Sequence, residues 1–112
     1  MTTSPTWHDR AAALALDGRA FINGQRVASA SGETFDKHSP IDGRRLGAIA
    51  RGQAADVDAA VLAARAAFDD GRWARQPPAA RKKVLQRFAD AILAHRDELA
   101  LTETLDMGKP VA

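Results

Sequence analysis

Between Pro78 and Leu93 the chain carries two adjacent apolar rows: Val84, Phe88 and Ile92 in one, Leu85, Ala89 and Leu93 in the other. At helical spacing they make a stripe of about 100° or more, wide enough to require two packing neighbours. That requirement constrains the fold more than any other feature. A helix with so broad an apolar face cannot be a solvated spacer, and something must cover it.

The rest of the chain offers little to cover it with. Trp7, Ala11 and Leu14 fall at i, i+4, i+7 and predict a short helix over 5–17, with Gly18 as its stop. "AFINGQRVA" reads as a hairpin, because Asn23-Gly24 between apolar residues tolerates positive φ at both turn positions. "ETFDKHS" and "RRLGAIA" are further strand candidates, separated by the turn "PIDGRR". From Ala54 the period becomes helical, with Val57, Val61, Ala64 and Phe68 on one face, Asp56 and Asp58 in the first turn, and Asp70-Gly71 as the end. Pro78 suits a first helical position. Arg96-Asp97 marks a bend or a new start, and the last helix runs to Met107, stopped by Gly108 and Pro110. A few short strands cannot supply a sheet large enough for these helices, since a lone hairpin is marginal in water. The pattern is that of a piece of a larger α/β structure, and the chain is expected to be one.

Composition narrows the classes of function. The chain of 112 residues is 46% hydrophobic and 27% charged, in the range of globular proteins. Sixteen basic against fourteen acidic residues leave +2, without the clustered basic and aromatic surface of a nucleic-acid binder. Arg81-Lys82-Lys83 is the one basic cluster, and its helical setting makes it a solvated face. No stretch approaches the roughly 20 apolar residues of a membrane span, and the start "MTTSPTWHDR" lacks the basic flank and apolar core of a secretory signal. No partner among nucleic acids or membranes is expected, and the location is expected to be cytoplasmic. Zero cysteines exclude a thiol nucleophile or a disulfide within these residues.

Candidate chemistry is sparse. No two of the eight glycines are separated by one residue, so no G-x-G-x-x-G loop is present. "GKP" at 108–110 lacks the Ser/Thr and the upstream glycine of a phosphate loop, which leaves Lys109 as a cation near a helix end. His8, His38 and His95 are too dispersed for a local metal site, and the i, i+3 pair His95 and Glu98 reads as a surface contact. Trp7 and Trp73 read as packing anchors. Residue chemistry alone assigns no catalytic and no cofactor-binding residue.

The order of motifs adds what the residue chemistry lacks. "FING" at 21–24, "PIDG" at 40–43, "DVDAAVLAARAAF" at 56–68, Trp73, "PAAR" at 78–81 and "ETLDMGKP" at 103–110 together resemble the amino-terminal part of an aldehyde dehydrogenase. The leader "TWHDRAAALALDGRAFINGQ" is similar to the branch that oxidises γ-glutamyl-γ-aminobutyraldehyde in putrescine and polyamine breakdown. The resemblance implies an α/β fold: a short helix, a β-hairpin and strand, then two to three helices flanking a cofactor-binding sheet that this chain does not contain. Residues 1–20 would be a helical leader, and 21–112 the truncated amino-terminal portion of the NAD(P)-binding domain. It further implies NAD or NADP as cofactor, an aldehyde as substrate and a homo-oligomer at full length. The nucleophilic cysteine and the cofactor glycines would lie outside these residues, so the chain is expected to be inactive alone. The family also implies a structural sodium or potassium ion, whose ligand positions correspond to Lys37 and His38, mainly through their backbone carbonyls, and Asp106, an oxygen shell suited to a hard cation. Lys37 departs from the small or apolar residue usual there, and its ammonium would compete with the ion. The rival expectation is a stand-alone α+β interaction or regulatory module derived from the same segment.

Overall fold

In the computed structural model, which describes residues 4–111, the hairpin forms as the Asn-Gly signal requires. Strands β1 (Ala20–Ile22) and β2 (Gln25–Val27) pair antiparallel with Ile22 opposite Gln25. Asn23 and Gly24 turn between them with φ of 52° and 76°, the left-handed pair that matches strand twist. A second two-stranded antiparallel sheet joins β3 (Thr34–His38) to β4 (Arg45–Ala50), with a register shift between Lys37 and His38. Ser39 closes the intervening turn: its amide donates to the Arg44 carbonyl at 2.8 Å, and the Ile41 amide donates to its hydroxyl at 3.3 Å.

The helices are α1 (Trp7–Ala13), α2 (Ala54–Asp69), α3 (Pro78–Ala94) and α4 (Arg96–Met107). Helix α2 starts at a capping box in which the Asp56 carboxylate accepts from the Gln53 amide. Proline opens α3 as expected, His95 separates it from α4, and Gly108 caps α4 with φ of 78°.

The first helix is shorter than its spacing predicts, and Gly18 is not its stop. It ends at Ala13, where Leu14 is already extended. From Leu14 to Ile22 every second residue is half-buried, a strand period that the helical reading overlooked. Gly18 forms a parallel bridge to Ile49, and its carbonyl accepts from the Ala50 amide at 2.8 Å. A Cβ on Gly18 would lie 2.0 Å from the Ala48 carbonyl oxygen, so glycine is required here by backbone approach. Residues 1–3 of the expected leader, and Ala112, lie outside the described residues.

Buried apolar side chains are found on α4. Leu101 and Leu105 on α4, exposed to 5% and 7%, form the apolar core, with Ser29 and Ser39 as the buried polar residues. A cavity of about 330 Å³ beside them is lined by Trp7, Ala11, Ile41, Leu101, Leu105 and Val111, among others. Arg10 on α1 bridges to Asp97 on α4 at 2.9 Å. Neither α2 nor α3 has a buried residue. All four phenylalanines are exposed, Phe68 to 65% and Phe88 to 64%. The Cα radius of gyration is 18.0 Å, against roughly 13 Å for a compact domain of this length.

The orientation of α2 shows how this arises. Its half-buried side is Ala60, Ala63 and Ala67, and with Phe21 and Ile22 of the hairpin these line a shared depression. Val57, Val61 and Phe68, the row expected to seek a core, remain exposed. Along α3 only Ala80 and Arg81 are half-buried, and Val84, Leu85, Phe88, Ile92 and Leu93 stand exposed. No described helix is long and apolar enough to cross a membrane.

Candidate functional site

The positions singled out for the cation lie at the end of β3 and in the last turn of α4. Lys37 and Asp106, 69 positions apart, meet with Nζ 2.8 Å from Oδ1. The junction is fixed from both sides. A Cβ on Gly108 would sit 3.6 Å from Pro40 Cγ, so the end of α4 lies against the β3–β4 turn. Buried Leu105, one residue before Asp106, anchors the same helical turn in the core.

His38 does not join them through its side chain. It follows the register shift, is exposed, and makes no side-chain hydrogen bond or ion pair among the described residues. No group of three or more His, Cys, Asp or Glu side chains that could hold a metal is found among the described residues. The fit of an alkali ion is poor for a specific reason. The Asp106 carboxylate is already paired with an ammonium, and a second cation at the same oxygens would be repelled by it.

Three other polar clusters shape the molecule without suggesting chemistry. Asp56 receives the Gln53 amide at 2.9 Å and the Ala30 amide at 2.8 Å, and these donors, Gln53 first, hold its carboxyl below the usual range. Gln53 also donates its side-chain amide to Glu33 at 2.8 Å. Together they fasten the N-terminus of α2 to the loop between β2 and β3, a role hidden from the sequence because Ala30 is 26 residues upstream. The Arg19 guanidinium, first through its hydrogen bonds to the carboxylate, depresses Asp17 strongly beside the Gly18 bridge. At the α3–α4 corner Asp97 is lowered by Arg10 and then Arg96. The His95–Glu98 pair stands at 3.4 Å with both side chains exposed, a surface contact as its spacing predicts.

Nothing in these clusters pairs a nucleophile with a base. The arrangement is a scaffold: fixed turns and one cross-linked helix end at one side, and uncovered apolar helix faces at the other.

Comparison with known proteins places this scaffold in context. The sequence profile of the aldehyde dehydrogenase family matches residues 27–112. The chain is 49% identical over 105 residues to PuuC, an NADP/NAD-dependent aldehyde dehydrogenase of Escherichia coli, covering 94% of this chain and 21% of that protein. The solved structure of γ-glutamyl-γ-aminobutyraldehyde dehydrogenase from Burkholderia cenocepacia superimposes with a TM-score of 0.92 at 54% identity, covering 94% of this chain and 21% of that one. Indole-3-acetaldehyde dehydrogenase of P. syringae, solved in complex with NAD+, matches with a TM-score of 0.91, also at 54% identity and with the same coverage. The chain thus spans about a fifth of the length of the curated relatives it matches.

Proposed function

The chain belongs to the aldehyde dehydrogenase family, and on that premise we propose that it is the amino-terminal portion of an NAD(P)+-dependent enzyme that oxidises an aldehyde to a carboxylic acid. Residues 1–20 are its leader, helical over Trp7–Ala13, and 21–112 the first part of its cofactor-binding domain. The observation that carries this reading is the uncovered apolar surface of α2 and α3. Val57, Val61 and Phe68 on one helix and Val84, Leu85, Phe88 and Ile92 on the other are exposed in a chain that spans only a fifth of its relatives' length. Apolar faces of that extent mark a surface made to be covered. A sheet contributed by the remainder of the enzyme is the fitting cover, because helices flank sheets in α/β architectures. A second observation points the same way. Arg81 Nε is buried without a hydrogen-bond partner among the described residues, which a neighbour at the start of α3 would supply.

The chain's own share of the work is structural. The hairpin and the β3–β4 sheet set the path of the chain, and α2 to α4 carry the apolar faces that seat the cofactor domain. Nicotinamide cofactor, NAD or NADP, accepts the hydride in such enzymes. Its binding residues and the catalytic thiol belong to the remainder of the relatives' length, so none is assigned within 1–112. The enzyme acts in the cytoplasm as a homo-oligomer. γ-Glutamyl-γ-aminobutyraldehyde, an intermediate of putrescine catabolism, is the favoured substrate, supported by the likeness to PuuC and to the Burkholderia enzyme.

The test is a substrate panel on the intact gene product, read by the absorbance of reduced nicotinamide. γ-Glutamyl-γ-aminobutyraldehyde is expected to exceed indole-3-acetaldehyde in kcat/KM by about tenfold or more, the discrimination a single good pocket provides. A preference for the indole aldehyde would overturn the substrate, and no reduction with any aldehyde would overturn the activity.

A further inference from the structure

The last turn of α4 has an unfavourable charge pattern that the rest of the molecule corrects. Glu103 and Asp106 lie at the helix C-terminus, where the carbonyl ends of the helix already make the potential negative. No basic residue lies in that turn to offset them. Two cations reach it from outside the helix: Lys109 Nζ approaches Glu103 Oε1 at 3.5 Å, and Lys37 Nζ approaches Asp106 Oδ1 at 2.8 Å. Lys37 comes from β3, and its side chain is the less exposed partner of its pair.

We infer that Lys37 is a tethered cation that takes the place of a dissolved alkali ion at this helix end. Its ammonium carries the same single charge as potassium and engages the carboxylate oxygen by donating an N–H hydrogen bond. Covalent attachment to β3 gives it a high effective concentration at Asp106, with which an ion free in solution must compete. The charge balance at the junction between β3 and α4 is therefore built into the chain, and the stability of the protein is indifferent to which monovalent cation surrounds it. The inference rests on family membership and on the Lys37–Asp106 contact, not on which aldehyde is oxidised.

The experiment compares the thermal midpoint of the intact gene product in potassium chloride, sodium chloride and tetramethylammonium chloride at equal ionic strength. Three proteins are measured: the unaltered one, Lys37→Thr and Lys37→Arg. The unaltered protein and Lys37→Arg, which keeps a charge at the site, are expected to melt at the same temperature in all three salts. Lys37→Thr is expected to melt about 2 °C or more higher in potassium or sodium than in tetramethylammonium, because an ion that binds only the folded state stabilises it. An equal potassium-dependent rise in the unaltered protein, or no salt preference in Lys37→Thr, overturns the proposal. Should Lys37→Thr fail to fold, sodium-23 relaxation decides on the unaltered protein. Excess broadening that potassium removes overturns the proposal, and its absence supports it. None of these readouts requires turnover, so failure of the substrate assignment would leave them intact.

Discussion

The junction of α1, β3, β4 and α4 and the arm formed by α2 and α3 were written with the same helical and strand periods, yet they end in opposite states. In the junction, apolar residues meet each other: Leu101 and Leu105 are buried beside Trp7, Ala11 and Ile41, and ion pairs from Arg10 and Lys37 tie separate elements to α4. In the arm, helix α2 turns only its alanines towards the hairpin, and α3 leaves nearly its whole length open. The difference is one of supply. Apolar periodicity states that a face will be buried but not by what, and among the described residues the junction has its partner while the arm does not.

The contrast can be broken most directly at Phe88. In the 112-residue chain Phe88→Ala is expected to shift stability by no more than about 0.5 kcal/mol, as for a surface change. In the intact gene product the same substitution is expected to cost about 3–5 kcal/mol. Urea melts of both lengths check this, and equal effects would mean that the arm stays uncovered in the intact gene product. Gly18→Ala sharpens the other half of the comparison. Its Cβ would collide with the Ala48 carbonyl, so the strand-like segment must move away from β4. A loss of about 1–3 kcal/mol, the usual range for overpacking, is expected in either length. Faster amide exchange at Ala50, whose N–H donates to the Gly18 carbonyl, would locate the effect.

The smallest effect is a pH dependence at the seam between the two regions. The Gln53 and Ala30 amides depress Asp56, so its contribution is fully present above the unfolded-state value of about 3.9. It is lost as pH falls through the lower folded-state value, since the unfolded chain takes up the proton first. Asp56→Asn is expected to lower the melting temperature near neutral pH and to make its fall below about pH 4 shallower. A variant whose acid limb matches that of the unaltered protein would show that the Ala30 contact carries no weight.

The legible parts of the fold were those governed by local physics. Asn23-Gly24 specified its turn, Pro78 opened α3, Gly108 closed α4, and each strand and helix candidate formed near its expected place. The first helix was misjudged because Trp7, Ala11 and Leu14 fit a helical period, while the alternation through Leu14, Leu16, Gly18 and Ala20 shows only once β4 lies alongside. For the candidate site, the sequence identified Lys37 and Asp106 and the competition between an ammonium and an ion. It did not signal the register shift between Lys37 and His38, after which the His38 side chain is exposed. The Asp56 contact with Ala30 was equally hidden, because a cap hydrogen bond across 26 residues has no local signature.

By itself the sequence determined the elements after the first helix, the breadth of the apolar faces and the resemblance to a family, since each follows from side-chain period, turn chemistry or motif order over a few residues. Only the tertiary structure decided which faces find partners: it closed Lys37 on Asp106, laid Gly18 against β4 and left Phe68 and Phe88 uncovered. Those outcomes depend on residues far apart in the chain reaching the same place, which hydrophobic period and local propensity do not encode.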